Sequence, residues 1–277
     1  GMAFISGATL VSATWPDQPA KNALAIAVYF GGGGIGILIT GLTVPPLLAI
    51  KGVSAWPLAW LLIGGVGLGA WLLSWPAAVK SSVAIAEVKG SKSPLPSAKM
   101  LPSLIGYFFF SAGYIVYMTF VIAWLKQNSA SLLMVMLCWS ILGVGVTISG
   151  FAWKGVLSRY KNGIPLGASS LVTAIGAGVL LVMTDEIGII LSAVIFGMAF
   201  FIAPTSVTAY TRHNLPKAHW GEAIALYTIL FASGQTLGPV GAGIIADLTG
   251  DLQGGMMAGV VVLVLGGIAG LIQKPLN

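Results

Sequence analysis

Long apolar runs alternate with short polar gaps along the chain, and the length of the runs decides what they are. An α-helix needs about 20 mostly apolar residues to cross the hydrocarbon core of a bilayer. Eight stretches meet that requirement: Leu24–Leu48, Trp56–Trp75, Leu101–Leu125, Leu132–Ala152, Gly163–Met183, Ile187–Thr211, Gly221–Ala246 and Gly254–Ile272. Before them, Gly1–Ala13 is too short to span and reads as the tail of a ninth helix. The runs lack the alternation of a lipid-facing barrel strand, whereas helices satisfy their own backbone hydrogen bonds, as lipid demands. The expected fold class is an all-α membrane protein with eight full transmembrane helices plus one partial helix.

Composition agrees with that pattern. Apolar residues make up 57% of the 277, charged residues only 7%, and the mean hydropathy is +0.97. A soluble domain carries about 25% charged residues, so the outer face of this chain must meet lipid. The net charge of +6 does not point to nucleic acid, because the basic residues are scattered through the gaps and form no stripe. Cys138 is the single cysteine and lies inside an apolar run, which excludes an internal disulfide or a paired-cysteine metal site.

The gaps sort by charge. Lys21, then Lys80, Lys89, Lys92 and Lys99, then Lys154, Arg159 and Lys161, then Arg212 and Lys217, and finally Lys274 fall in every second gap and in the C-terminal tail. The other gaps hold only Lys51 and Lys126, and they collect Asp185, Glu186, Asp247 and Asp251. Cytoplasmic loops are enriched in Lys and Arg, so the basic side is expected to be cytoplasmic. The C-terminus is then cytoplasmic, and the expected location is a bacterial cytoplasmic membrane.

The longest gap runs from Pro76 to Pro102 and contains Gly90-Ser91-Lys92-Ser93-Pro94-Leu95-Pro96-Ser97, a flexible-linker composition. It divides the chain into residues 1–75, a linker at 76–100, and a six-helix unit at 101–277. If the six helices form one half of a repeat, a matching half needs three and a half more helices upstream. An internal echo supports this arithmetic. Tyr29-Phe30-Gly31-Gly32-Gly33-Gly34-Ile35-Gly36 and Gly234-Gln235-Thr236-Leu237-Gly238-Pro239-Val240-Gly241 are both glycine-dense, stand six helices apart and run in the same direction.

The second of these segments resembles the antiporter-type motif of the major facilitator superfamily, a Gly, three residues, Gly-Pro, two residues, Gly. The matching positions are Gly234, Gly238, Pro239 and Gly241. The resemblance implies helix eleven for this segment and helix five for the run at Gly31–Gly36. Residues 1–75 then hold part of helix four with helices five and six. Gly155-Val156-Leu157-Ser158-Arg159-Tyr160-Lys161-Asn162-Gly163 looks like a worn copy of the loop signature between helices eight and nine, without its acidic residue before Arg159. Gly113 through Phe120, with Gln235 through Gly250, is similar to a YbfB/YjiJ-type bacterial branch.

Candidate sites follow from residue type and position. Gly31, Gly32 and Gly36 either let helices pack closely, as would Gly65-x-x-x-Gly69 and Gly266-x-x-x-Gly270, or form a bendable gating helix. Pro239 and Pro204 cannot donate to the carbonyls four residues back, so helices should bend at both. Gln235 is a polar amide in mid-span, placed for substrate or for a neighbouring helix. Tyr114 and Tyr117 share a stripe of one helix, and Tyr29, Tyr227 and Thr205 bring hydroxyls from other walls. No Asp, Glu, Lys, Arg or His lies near the middle of a span, so the titrating group of a proton-coupled carrier is expected upstream of Gly1 or at a helix end such as Asp17, Glu222 or Asp247. The two histidines, His213 and His219, read as solvated loop residues.

The resulting expectation is a secondary transporter of the major facilitator type, with the lipid bilayer and a small organic or amphipathic solute as partners and no cofactor or metal. A truncated carrier fragment without activity and a membrane-embedded enzyme are the competing readings. The enzyme would need paired carboxylates, a metal-binding histidine run or a Ser/His/Asp set at shared depth, and the sequence offers none.

Overall fold

A computed structural model of the chain describes residues 7, 11, 19–82 and 94–276. Most of the predicted helix tail at 1–13, Asp17, and the linker residues 83–93 lie outside them. Among the described residues every regular element is helical. We number the helices α1 (Pro19–Lys51), α2 (Trp56–Ser82), α3 (Leu101–Gln127), α4 (Leu132–Ala152), α5 (Lys154–Arg159), α6 (Ile164–Val182), α7 (Glu186–Gly197), α8 (Ile202–Asn214), α9 (Trp220–Thr249) and α10 (Leu252–Ile272). Eight segments of the described residues are long and apolar enough to cross a membrane, with α7 and α8 together making one of them.

The turns at one end of the bundle carry their own stop signals. Gly52 and Gly250 adopt positive φ values of 82° and 74°, which only glycine takes without strain, so the chain reverses after α1 and after α9. Ser131, Asp185 and Asp251 cap α4, α7 and α10 by accepting backbone N–H bonds from Met134, Gly188 and Gln253. Pro76 does not end α2, which stays helical to Ser82.

Packing is organised around α3, which lies against α9, α10 and α6, while α6 and α4 both flank α7, and α1 lies along α4. Glycines make these approaches close. Gly106 faces Gly266 and Gly270, Gly163 and Gly167 face Gly270 and Gly267, and Gly145 faces Gly197, each with no room for a methyl group. The Gly266-x-x-x-Gly270 pair is thus a packing face, but Gly65 and Gly69 on α2 have nothing within 4 Å. Helix α2 is exposed along most of its length, with Ala59 its buried apolar residue among those described.

The span containing Pro204 is interrupted rather than bent. Helix α7 ends at Gly197, α8 starts at Ile202, and Met198–Phe201 between them form turns. The interruption lies on the N-terminal side of Pro204 because the proline ring crowds the carbonyl four residues back, that of Phe200. Irregular backbone at membrane depth is tolerated where protein covers it, and Ala199 and Phe200 are buried. At Pro239, by contrast, α9 remains one continuous helix.

Candidate functional site

The only glutamine in mid-span faces a tyrosine. Gln235 on α9 donates its side-chain Nε2–H to the hydroxyl oxygen of Tyr114 on α3. Two glycines make this pairing possible. Gly234 and Gly238 press against Ser111, the Phe108 carbonyl and Ala112 of α3, so that a Cβ at either position would overlap main-chain atoms. The motif residues Gly234 and Gly238 therefore bring α9 onto α3, whereas Gly241 has open space beside it.

Aromatic rings surround the pair. The Tyr114 ring stacks with Phe110, Phe200 and Phe231 at centroid separations of 5.1, 5.7 and 5.7 Å and interplanar angles of 15, 20 and 21°. Its side chain is 8% exposed. Phe200 also meets Phe201 edge-on at 5.4 Å, and the Phe201 ring sits in the place a side chain at Gly33 of α1 would occupy. The interruption between α7 and α8 thus delivers two adjacent rings, one to α3 and one to α1.

Hydrogen-bond arithmetic shows what the pair still offers. Tyr114 accepts from Gln235, so its own proton is left to donate, and the Gln235 Oε1 is left to accept. No charged side chain lies at this depth among the described residues. The pair presents one neutral donor and one neutral acceptor beside a wall of rings.

The other predicted hydroxyls lie apart from it. Tyr117 is 2% exposed, within 2.9 Å of Ser192 Oγ, and its ring stacks on Phe196 at 4.0 Å. Ser192 in turn donates to the Gly176 carbonyl, which ties α3, α7 and α6 together. Tyr227 is also 2% exposed, with its hydroxyl 2.6 Å from Ser103 Oγ at the start of α3. Thr205 donates to the Phe201 carbonyl at 3.2 Å. Tyr29 meets Phe30 edge-on at 5.5 Å and has Gly7 close against its ring. His219 is buried rather than solvated, with Nδ1 3.4 Å from the Glu222 carboxylate.

The glycine run on α1 divides between two faces. Gly31 and Gly34 meet the Thr147 and Gly143 main chain of α4, and Gly41 meets Trp139 and Ser140. Gly32 and Gly36 face open space. They line a cleft of about 510 Å³ between α1 and α2, closed on its inner side by Met118 of α3 and Trp139 of α4.

An eight-span bundle with glycine-mediated seams, an interrupted helix and a neutral polar pair in mid-span has the architecture of a carrier. Residues 1–271 match the family described as the uncharacterised MFS-type transporter YbfB. The chain belongs to that family. It is a multi-pass membrane transporter, and the all-α fold expected from the apolar runs is the one observed. No curated protein matches it.

Sequence reasoning missed a densely bonded residue of this YbfB-type transporter. Gln273, one residue beyond α10, is 2% exposed and accepts from the Ser103 N–H at 3.1 Å. Its Nε2 lies within 2.7–3.0 Å of three acceptors, the Lys99 carbonyl, the Tyr210 hydroxyl and the Lys274 carbonyl. Asn214 extends the network by donating to the Lys161 carbonyl and accepting from the Leu276 N–H. A polar residue just past an apolar run is the one signal available, and it says nothing about partners.

Proposed function

We propose that the protein is a secondary transporter that moves a small, uncharged organic or amphipathic solute by alternating access, with Tyr114 and Gln235 as its polar contact. The observation that carries this reading is the unspent donor and acceptor of that pair, set among aromatic rings in a neutral span interior. An inorganic ion would find neither counter-charge nor a cage of oxygens there. A neutral solute finds an apolar wall and a small number of orienting polar groups, the usual make-up of a ligand site.

In this reading the basic end is cytoplasmic, the membrane is the bacterial cytoplasmic membrane, and residues 76–100 link two helical halves that rock about the site. A coupling proton, if used, has Glu222 and Asp247 near helix ends as its candidate carriers, with Asp17 a third in the sequence.

The test is depletion from proteoliposomes filled with a metabolite extract and read by mass spectrometry. The expected result is loss of a few uncharged organic solutes from vesicles containing the wild-type protein, and their retention with Gln235→Leu. Release of inorganic ions alone, equal in both proteins, would overturn the proposal.

A further inference from the structure

The cleft between α1 and α2 has no role in the site just described, yet three of its glycines are unexplained by packing. Helix-packing glycines exist because a Cβ would strike a neighbour, and Gly31, Gly34 and Gly41 are of that kind. Gly32 and Gly36 on α1 and Gly67 on α2 are different, since a Cβ at any of them meets nothing within 4 Å. At these three positions the absence of side chains leaves room in a cleft of about 510 Å³ walled by Ile63, Met118 and Trp139. That size falls within the range of about 300–1,000 Å³ typical of small-molecule sites.

The cleft ends one helical turn from the polar pair. Met118 lies one helical turn beyond Tyr114 on the same face of α3, and residues four apart on a helix are neighbours. From the other side, Gly33 lines the cleft and receives the Phe201 ring, which abuts Phe200, which stacks on Tyr114. A molecule with its polar group at Tyr114 and Gln235 would need to pass Met118, an apolar side chain, to reach the cleft.

We propose that the cleft between α1 and α2 is a subsite for an alkyl chain of the transported solute, held apart from the polar contact by the length of about one helical turn. The proposal rests on Tyr114 and Gln235 being the polar contact. It makes the solute a neutral amphiphile whose head group both accepts and donates a hydrogen bond, as a carboxamide does.

The experiment is calorimetric binding of butanamide, hexanamide and octanamide to the full protein in lipid nanodiscs, with empty nanodiscs as the reference for partitioning. Burying each added methylene should tighten binding about fourfold in the wild type. A Cβ at Gly36 meets no neighbour, so Gly36→Leu should fold, and by occupying the cleft it should weaken octanamide at least tenfold while leaving butanamide unchanged. Gly64→Leu, on an open face of α2 outside the lining, should match the wild type. Equal chain-length dependence in all three proteins overturns the subsite. So does a phospholipid that co-purifies with the wild type, is lost in Gly36→Leu and is not displaced by octanamide. Gln235→Leu separates the two readings. If it abolishes binding of every amide while Gly36→Leu changes nothing, the polar contact stands and the subsite falls. If only Gly36→Leu matters, the polar contact falls and the cleft remains an apolar site. Absence of binding by any amide to the wild type overturns both.

Discussion

The indole Nε1 of Trp153 donates a 2.8 Å hydrogen bond to the carbonyl oxygen of Met198. Trp153 follows the last residue of α4, and Met198 opens the interruption between α7 and α8, so the bond fastens a side chain to backbone that helix geometry has released. A tryptophan at a span end would ordinarily be read as an interfacial anchor. Trp153→Phe keeps the ring and removes the donor. The expected cost is about 1–2 kcal/mol, together with faster amide exchange at 198–202. Hydrogen exchange read by mass spectrometry checks it, and unchanged protection of that segment would show that the bond does not hold it.

Gly34 and Gly36 differ by two positions and should differ sharply in tolerance. A Cβ at Gly34 overlaps the Gly143 carbonyl and Thr147, while at Gly36 it meets open space. Gly34→Ala should destabilise by about 1–3 kcal/mol, as overpacking does. Gly36→Ala should be neutral or slightly stabilising, because alanine favours the helix. Thermal unfolding of both variants in one detergent decides the matter.

Gln273→Leu should be among the most damaging single changes outside the spans. It strips Ser103 of the acceptor for its first-turn N–H and leaves the Lys99 carbonyl and the Tyr210 hydroxyl without that donor. The loss should be about 2–4 kcal/mol. Quicker trimming of the C-terminus by a carboxypeptidase should accompany it, because the tail is held through the same amide.

Tyr114→Phe and Tyr227→Phe remove the same atom from two buried rings. Tyr227 spends its hydroxyl on Ser103, so its variant should lose about 1 kcal/mol of stability and retain transport. Tyr114→Phe takes the acceptor from Gln235, so it should lose a similar ~1 kcal/mol of stability, and it should in addition lower transport of the solute found by the metabolite screen about tenfold, the value of roughly 1.4 kcal/mol of binding. Equal effects on transport would remove the distinction between the two tyrosines.

The membrane spans were legible because bilayer thickness imposes a length that any sequence must meet, and seven of the eight predicted runs each correspond to one helix, Gly163–Met183 overrunning α6 by a residue at each end. The eighth shows the limit. Pro204 marks where a helix cannot continue regularly, but whether it bends or breaks depends on neighbours such as Trp153, which stands 45 residues away from Met198. The glycine run was legible as a feature and illegible in its roles. Gly31, Gly32, Gly33 and Gly34 look alike in sequence, and only the rotation of α1 against α4 decides which touch main chain and which stay open. The pairing of Tyr114 with Gln235 across 121 positions left no periodic trace in either helix. Nor did that of Gln273 with Lys99 across 174.

Helix α1 meets α4 through Gly31, Gly34 and Gly41, and the atoms it meets are largely main chain. The Thr147 hydroxyl adds a side-chain bond across the seam by donating to the Gly31 carbonyl at 3.4 Å. The spacing of the two helices is set by what glycine lacks, and a side chain at Gly34 or Gly41 would part α1 from α4.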